Sequence, residues 1–376
     1  MELNITWNDV PWTTYRTHFT GDQPDEMIPG WVVTHEGSAL EVVTQNGTVV
    51  AEISGRLRYL SELGTGELPA VGDFVSLRPG DPAQIDAVLP RRTAFRRKEA
   101  GQRTEAQIIC ANADLAVIVT TAPALGVERV ADVVATDTAA AHDLDDFSLR
   151  RIERYIATLD PQIRPVVVLN KCDLIEDPQA VQSYVAAELP GAVVVALSAL
   201  TGDGVNVLTQ LIEKGQTAVM VGSSGCGKST LIAQLTGTDL KTGAVRTSDG
   251  RGRHTTTSRR MYRLPEGGIL VDTPGMREVQ LWADDDTGTD AIAAAFPEIT
   301  ELEGGCRFRD CKHEHEPGCA IKQAIAEGTV LAERYQSYLQ LRDEIETTAE
   351  MRRQRSREWG KQISKLSRQL KKARNG

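Results

Sequence analysis

Residues 222–230 read Gly222-Ser223-Ser224-Gly225-Cys226-Gly227-Lys228-Ser229-Thr230. The spacing G-x-x-x-x-G-K-S is that of a phosphate-binding loop. Its glycines let successive backbone N–H groups curl around phosphate oxygens, and a helix starting at its end adds a favourable dipole. An apolar run at 218–221 precedes it and a helical pattern begins at Leu231, which is the strand–loop–helix context such a loop needs. Lys228 would bridge the β- and γ-phosphates, and Ser229 would ligate Mg²⁺.

Three further segments fit a guanine nucleotide. Asn170-Lys171-Cys172-Asp173 follows the apolar run 166–169. A buried Asp173 carboxylate can accept two hydrogen bonds, from guanine N1–H and from its 2-amino group. Adenine supplies neither and would leave the acid unpaired, a strong basis for rejection. Asn170 would contact the opposite edge of the ring, and the Lys171 stem would lie on its face. Ser198-Ala199, after the run 193–197, offers the Ala199 N–H to the guanine carbonyl. Asp272-Thr273-Pro274-Gly275 closes the run 269–271. There Asp272 would hold Mg²⁺ through water, and the Gly275 N–H would sense the γ-phosphate. Together these predict GTP rather than ATP.

Between the phosphate loop and Asp272 lies Gly252-Arg253-His254-Thr255-Thr256-Thr257. A threonine here could complete the Mg²⁺ shell when GTP is bound, Thr256 ahead of Thr255 and Thr257. Residue 276 is Met, where a water-orienting Gln would be expected. Intrinsic hydrolysis is therefore predicted to be slow, with His254 orienting or deprotonating the water. Alternatively, His254 contacts a partner or RNA.

These segments must sit at the ends of strands in one sheet. Runs at 115–119, 166–169, 193–197, 218–221 and 269–271 read as buried parallel strands. A helical stretch at 148–159 lies between the first two, so the alternation predicts a doubly wound α/β sheet. The order is unusual: the base-reading segments precede the phosphate loop, whereas an ordinary GTPase puts them last. A circular permutation of the same sheet accounts for this. Upstream, five short β-rich runs (31–34, 40–44, 48–53, 74–77 and 85–89) are separated by turns such as Asn46-Gly47. They predict a small barrel of the OB type, though an SH3-like barrel would read similarly. Residues 1–28 read as a loosely ordered arm.

Downstream, Cys306, Cys311, His313 and Cys319 offer three thiolates and an imidazole, a donor set for one structural tetrahedral Zn²⁺. His315 is a competing ligand. The other cysteines, Cys110, Cys172 and Cys226, are scattered, which fits a reducing cytoplasm better than a disulfide framework. Residues 351–376 hold ten Lys/Arg against Glu358, a net +9 within a chain of −10 over 376 residues. Arg91, Arg92, Arg96, Arg97, Lys98 and Arg103 form a second cluster. The overall acidity excludes a uniformly basic nucleic-acid binder, while the local clusters favour a phosphate-backbone partner such as structured RNA. No apolar run reaches the ~18 residues of a membrane span, and the N-terminus has no basic-then-apolar leader pattern.

The set resembles one family, the ribosome small-subunit-dependent GTPases (RsgA), which are circularly permuted. The likeness rests on residues 146–155 (DFSLRRIERY), 252–257, 272–278 (DTPGMRE) and the Cys/Cys/His/Cys cluster, and it runs from about residue 30 to 345. It implies an OB domain, a central GTPase domain and a mostly α zinc domain. It also implies a role in late maturation of the small ribosomal subunit, with rRNA contacts and subunit-stimulated hydrolysis of GTP to GDP. It assigns residues 222–230 to phosphate, 170–173 to guanine and Cys306, Cys311, His313 and Cys319 to zinc, and it looks to His254 in catalysis. Residues 124–145 depart from the family pattern as an acidic, Ala-rich insertion, and the tail after ~350 is variable.

The expected organisation is a multidomain one: an arm (1–28), an OB-type β-barrel (29–98), a circularly permuted P-loop α/β GTPase domain (99–283), a zinc-binding, mostly α domain (284–345) and a basic helical tail (346–376). The expected protein is cytoplasmic and monomeric, makes no membrane contact, and uses Mg²⁺ and Zn²⁺. A binding-module reading, in which GTP acts as an affinity clamp that hydrolysis only resets, stands beside the enzymatic one.

Overall fold

A computed structural model describes residues 5–10, 27–63, 65–98, 106–123, 147–223, 225–237, 259–273 and 287–347. Ser224, His254, Thr256, Gly275, Met276, the 124–145 insertion and the 351–376 tail lie outside the described residues, as does most of the 1–28 arm.

Five strands open the ordered chain: β1 (Ile28–Glu36), β2 (Ala39–Thr44), β3 (Gly47–Ile53), β4 (Phe74–Arg78) and β5 (Ala83–Val88). They pair in the order β1-β2-β3-β5-β4, and β4 returns to β1. This is the closed OB-type barrel, with pairing that leaves few exposed edges. Alternate residues point inward, so Val32, Leu40, Val42, Val75, Leu77 and Ile85 fill the interior. Trp31 and Phe74, both buried, stack at 5.9 Å. Between β3 and β4 runs a helix the sequence reading did not anticipate, α1 (Gly55–Glu62), capped by Ser54 Oγ accepting from Leu57 N at 3.2 Å.

A two-stranded sheet of β6 (Ala94–Lys98) and β7 (Ala106–Ala111) leads into the nucleotide domain. There β8 (Leu115–Thr121), β9 (Arg164–Asn170), β10 (Val193–Ala196), β11 (Thr217–Gly222), β12 (Arg259–Arg263) and β13 (Ile269–Asp272) line up as β10-β9-β8-β11-β13-β12. All neighbours are parallel except β12, which runs antiparallel to β13. The crossovers include α2 (Leu149–Ile156), α3 (Pro178–Glu188) and α4 (Val205–Leu211), and α5 (Lys228–Thr236) follows β11. Chain order runs outward from β8 to β10, then restarts at β11 on the other side of β8. The switch point is therefore the β8/β11 boundary, the place where open α/β sheets bind ligands. The core is aliphatic, with Val117, Val119, Val166, Val168, Met220 and Leu231 all buried.

The barrel and this sheet are continuous. β12 pairs antiparallel with β1 through Thr34↔Arg260 and His35↔Arg259. β12 has no apolar signature in the sequence, because three of its five residues are arginine.

A second compact unit holds the C-terminal helices: α6 (Thr287–Ala295), α7 (Pro297–Glu303), α8 (Ala320–Ala326) and α9 (332–347). Arg334 on α9 ties it to the preceding pair: Nε reaches Glu298 Oε1 at 2.5 Å, Nη2 reaches Ala295 O at 3.0 Å, and the guanidinium lies 4.7 Å from the Phe296 ring centroid. No helix among the described residues is long and apolar enough to cross a membrane.

Candidate nucleotide and metal sites

β11 delivers the phosphate loop and α5 receives it. Gly222 has φ +146°, and a Cβ there would lie 2.2 Å from the Val119 carbonyl oxygen. Gly227 has φ +92°, and a Cβ there would lie 2.3 Å from Asn170 Nδ2. Both positions combine a left-handed backbone with close packing, so only glycine fits. The buried Lys228 side chain turns back over the loop, donating to Gly222 O at 2.7 Å and Ser223 O at 2.6 Å. Its ammonium is thereby held at the loop mouth. Ser229 is exposed, and Thr230 half-buried, in the first turn of α5.

The segments expected to read the base meet the loop through the Asn170 side chain. Asn170 is 1% exposed. Its Nδ2 donates to Cys226 O at 2.8 Å, and its Oδ1 accepts from Ala199 N at 2.9 Å. The amide thus joins three segments far apart in sequence. Two expectations change in detail. Asn170 spends one donor and one acceptor on protein, and the Ala199 N–H already has an acceptor. Asp173 is exposed rather than buried, and its Oδ1 accepts from Ser198 Oγ at 2.5 Å. Lys171 has φ +64°, a left-handed turn that ends β9 and starts the single 3-10 turn Cys172–Leu174. Burial, opposed by the Leu197 backbone bond, pushes the Cys172 thiol up to about 11, so it is a packing group at neutral pH.

Asp272 ends β13 with its Cα register opposite Met220 on β11. Thr273, buried, donates from Oγ1 to Met220 O at 2.7 Å and pins this corner to the phosphate-loop strand. Lys228, Ser229, Asn170 and Asp272 thus cluster at the carboxyl ends of β11, β9 and β13.

Part of the second basic cluster is internal. Arg91 grips Asp73 with both arms, Nε to Oδ1 at 2.7 Å and Nη2 to Oδ2 at 2.6 Å, and also pairs with Glu67. Asp73 is fully buried, and burial lowers Arg91 to about 10, which leaves it cationic at neutral pH. Arg92 Nη2 bonds Asp114 Oδ1 at 2.5 Å. Arg91, its side chain 6% exposed, is thus a strut of the fold, a correction to its reading as RNA-facing charge, whereas Arg92 is paired at the exposed surface.

In the second unit, Cys306, Cys311, His313 and Cys319 place their ligand atoms within 4.8 Å of one another. His313 Nδ1 lies 3.5 Å from Cys306 Sγ and 3.4 Å from Cys319 Sγ, and the two sulfurs are 4.0 Å apart. A tetrahedral zinc centre has S···S edges of ~3.8 Å and S···N edges of ~3.5 Å, so the donor set fits. His315 is exposed and outside the group. Cys319 caps α8, its Sγ accepting from Lys322 N at 3.5 Å. The carboxylate of Glu316 accepts from the backbone of Lys312, Glu314 and His315 and holds the intervening loop closed.

Comparison with known proteins agrees with this geometry. The family model described as RsgA GTPase matches residues 128–282. A protein of Opitutus terrae named small ribosomal subunit biogenesis GTPase RsgA is 40% identical over 355 residues, covering 91% of this chain and 89% of its own length. The chain belongs to the RsgA GTPase family. Proteins of the same name from Streptomyces coelicolor and Methanosarcina acetivorans are each 37% identical, over 89% and 85% of this chain and 84% and 79% of theirs. Among solved structures, YjeQ from Thermotoga maritima matches with a TM-score of 0.55 at 23% identity, over 84% of this chain and 97% of that one. YloQ, described as a circularly permuted GTPase, matches with 0.54 at 23% identity, over 87% and 97%. Both fold matches span most of this chain, which comprises a closed barrel, a permuted GTPase sheet and a helical unit carrying a Cys₃His group. Residues 303, 338 and 342, described below, were missed in the sequence, since nothing in their spacing ties them to the cysteines.

Proposed function

We propose that this chain hydrolyses GTP to GDP and phosphate in the maturation of the small ribosomal subunit, and that the subunit with its rRNA stimulates the reaction. The relatives named for small-subunit biogenesis support that partner. The observation that carries the nucleotide reading is the Asn170 bridge, which ties the Asn-Lys-Cys-Asp, Ser-Ala and phosphate-loop segments to one another. Asn170, Lys171, Cys172, Asp173, Ser198 and Ala199 form the guanine side. Residues 222–230 cradle the phosphates, with Lys228 offering its ammonium to the charge that develops during transfer. Ser229, Thr256 and, through water, Asp272 hold Mg²⁺, and Gly275 reads the γ-phosphate. His254 takes the place of the missing Gln in orienting water. Cys306, Cys311, His313 and Cys319 hold one structural Zn²⁺. The domains follow the expected bounds 29–98, 99–283 and 284–345, with the 346–376 tail contacting rRNA phosphate. The working form is a cytoplasmic monomer that makes no membrane contact.

The test is GTP turnover by the purified protein alone, with small subunits, and with large subunits as control. Slow basal turnover raised by small subunits alone is the expected result. Fast basal turnover that no subunit changes would overturn the coupling.

A further inference from the structure

The imidazole of the Cys₃His group has two ends, and both are engaged. Nδ1 faces the thiolates. Nε2 faces Glu303 Oε1 across 3.7 Å, a little beyond direct hydrogen-bond length. That carboxylate is itself held from α9: Tyr338 Oη donates to Oε1 at 2.7 Å, and Arg342 Nη1 lies 3.7 Å away. The Arg342 guanidinium also sits 5.4 Å from the Tyr338 ring centroid, and the ring is 4% exposed. Burial, and then the bond to Glu303, push the Tyr338 hydroxyl up to about 12, so it stays a donor. Glu303 is the last residue of α7, three positions before Cys306. One acid at the start of the metal loop therefore faces a ligand and is hydrogen-bonded to the helix that leads toward the basic tail.

A metal-bound imidazole needs its remote nitrogen protonated and aimed. A carboxylate on that N–H fixes the tautomer and strengthens the donor nitrogen. We infer that Glu303 is the positioning carboxylate of the metal centre, and that through Tyr338 and Arg342 it couples metal occupancy to the docking of helix 332–347. This rests on the reading of the Cys₃His group as a zinc site. Coupling is reciprocal. If zinc steadies the helix, the docked helix must raise zinc affinity by the same factor. The group thus acts as a clasp on α9 in addition to tying its own loop.

The experiment uses the full chain loaded with Zn²⁺. Affinity is read by competition with a chromophoric chelator, and the amides of 332–347 are followed by hydrogen exchange with and without metal. Glu303→Gln removes the charge with little change in shape, Glu303→Ala removes the contact, Tyr338→Phe removes only the helix-side bond, and exposed Glu301→Ala is the control. Glu303→Gln and Glu303→Ala are expected to weaken zinc by ~10–100-fold, with Tyr338→Phe weaker than the parent by a smaller factor and Glu301→Ala unchanged. Stripping zinc should speed exchange across 332–347 in the parent and have less effect in Glu303→Gln. If Glu303→Ala does not fold, Glu303→Gln and Tyr338→Phe carry the test. Parent-like affinity in both, or exchange in 332–347 that ignores zinc, would overturn the inference. A parent chain that takes up no stoichiometric zinc would instead overturn the metal reading beneath it.

Discussion

Asn170→Ala probes the joint on which the proposed nucleotide site depends. The substitution removes two hydrogen bonds, of 2.8 and 2.9 Å, from a side chain that is 1% exposed. It takes from the Cys226 carbonyl and the Ala199 N–H the hydrogen bond that Asn170 gives each, in residues that are themselves buried. A buried polar group stripped of its partner costs ~1–3 kcal/mol, so the pair should cost ~2–4 kcal/mol once partial hydration of the new gap is allowed for. In urea this appears as a lower midpoint at unchanged slope. In a thermal scan it appears as a fall of roughly 2–4 °C per kcal/mol for a unit of this size. A second substitution makes the reasoning sharper. Gly227→Ala would set its Cβ 2.3 Å from Asn170 Nδ2, at a φ of +92°. Alone it suffers both the clash and the backbone strain, whereas beside Asn170→Ala it suffers only the strain. The double variant should therefore be less destabilised than the sum of the singles, by ~1 kcal/mol or more. Fluorescent GDP binding should weaken in each single variant. Additive costs, or an Asn170→Ala variant as stable as the parent, would refute the account of Asn170 as the shared strut.

Three other outcomes follow from the structure. Arg91→Met leaves Asp73 buried without its cation and should cost ~3–5 kcal/mol in urea unfolding, with no change in the salt dependence of RNA binding; a surface RNA contact would give the reverse. Burial, and then the Arg259 charge, hold the His35 imidazole below its ordinary value of 6.5. The unfolded chain then binds the extra proton, so His35's stability contribution is full above about 6.5 and is lost as pH falls below it. His35→Gln should flatten that part of the stability–pH curve, and an unchanged slope would exclude His35. Cys172, with its thiol raised to about 11, should resist alkylation at pH 8 in the native protein and react on unfolding, as read by mass spectrometry.

What was legible in the sequence depended on whether the signal was local. The phosphate loop is legible because close backbone approach forces glycine at fixed spacing. The barrel strands are legible because a two-residue alternation bounded by turns has few other solutions. Strand Arg259–Arg263 was not legible, because its partners are supplied by tertiary pairing with β13 on one side and β1 on the other. Helix Gly55–Glu62 buries only Leu57, too little apolar periodicity to stand out from a loop. Charge counting placed Arg91 with the RNA-facing residues, because composition cannot distinguish a solvated cation from one paired to a buried acid eighteen positions away. Glu303 escaped for the same reason. Its partners lie ten, thirty-five and thirty-nine residues downstream, and only the fold brings them together.

The barrel strand β1 serves two structures at once. Along one edge it pairs with β2 from Trp31 to Glu36. Its other edge is divided: Ile28 to Trp31 pair with β4 and close the barrel, while Thr34 and His35 pair with β12 of the nucleotide sheet. The change of partner falls at the register shift between Val32 and Thr34, where a bulge bends the strand and turns its edge. β12 in turn pairs with β13, setting Arg260 opposite Asp272. A backbone hydrogen-bond ladder thus runs from the proposed Mg²⁺ acid, across two strands, into the barrel wall. Residue-level slippage in such a ladder would swap inward and outward faces on β1 and empty the barrel core of Val32. The register is therefore fixed by the packing of both bodies. The barrel cannot shift against β12 without breaking these pairs, so any displacement of β12 that accompanies GTP turnover must either move β1 with it or unzip Thr34 and His35.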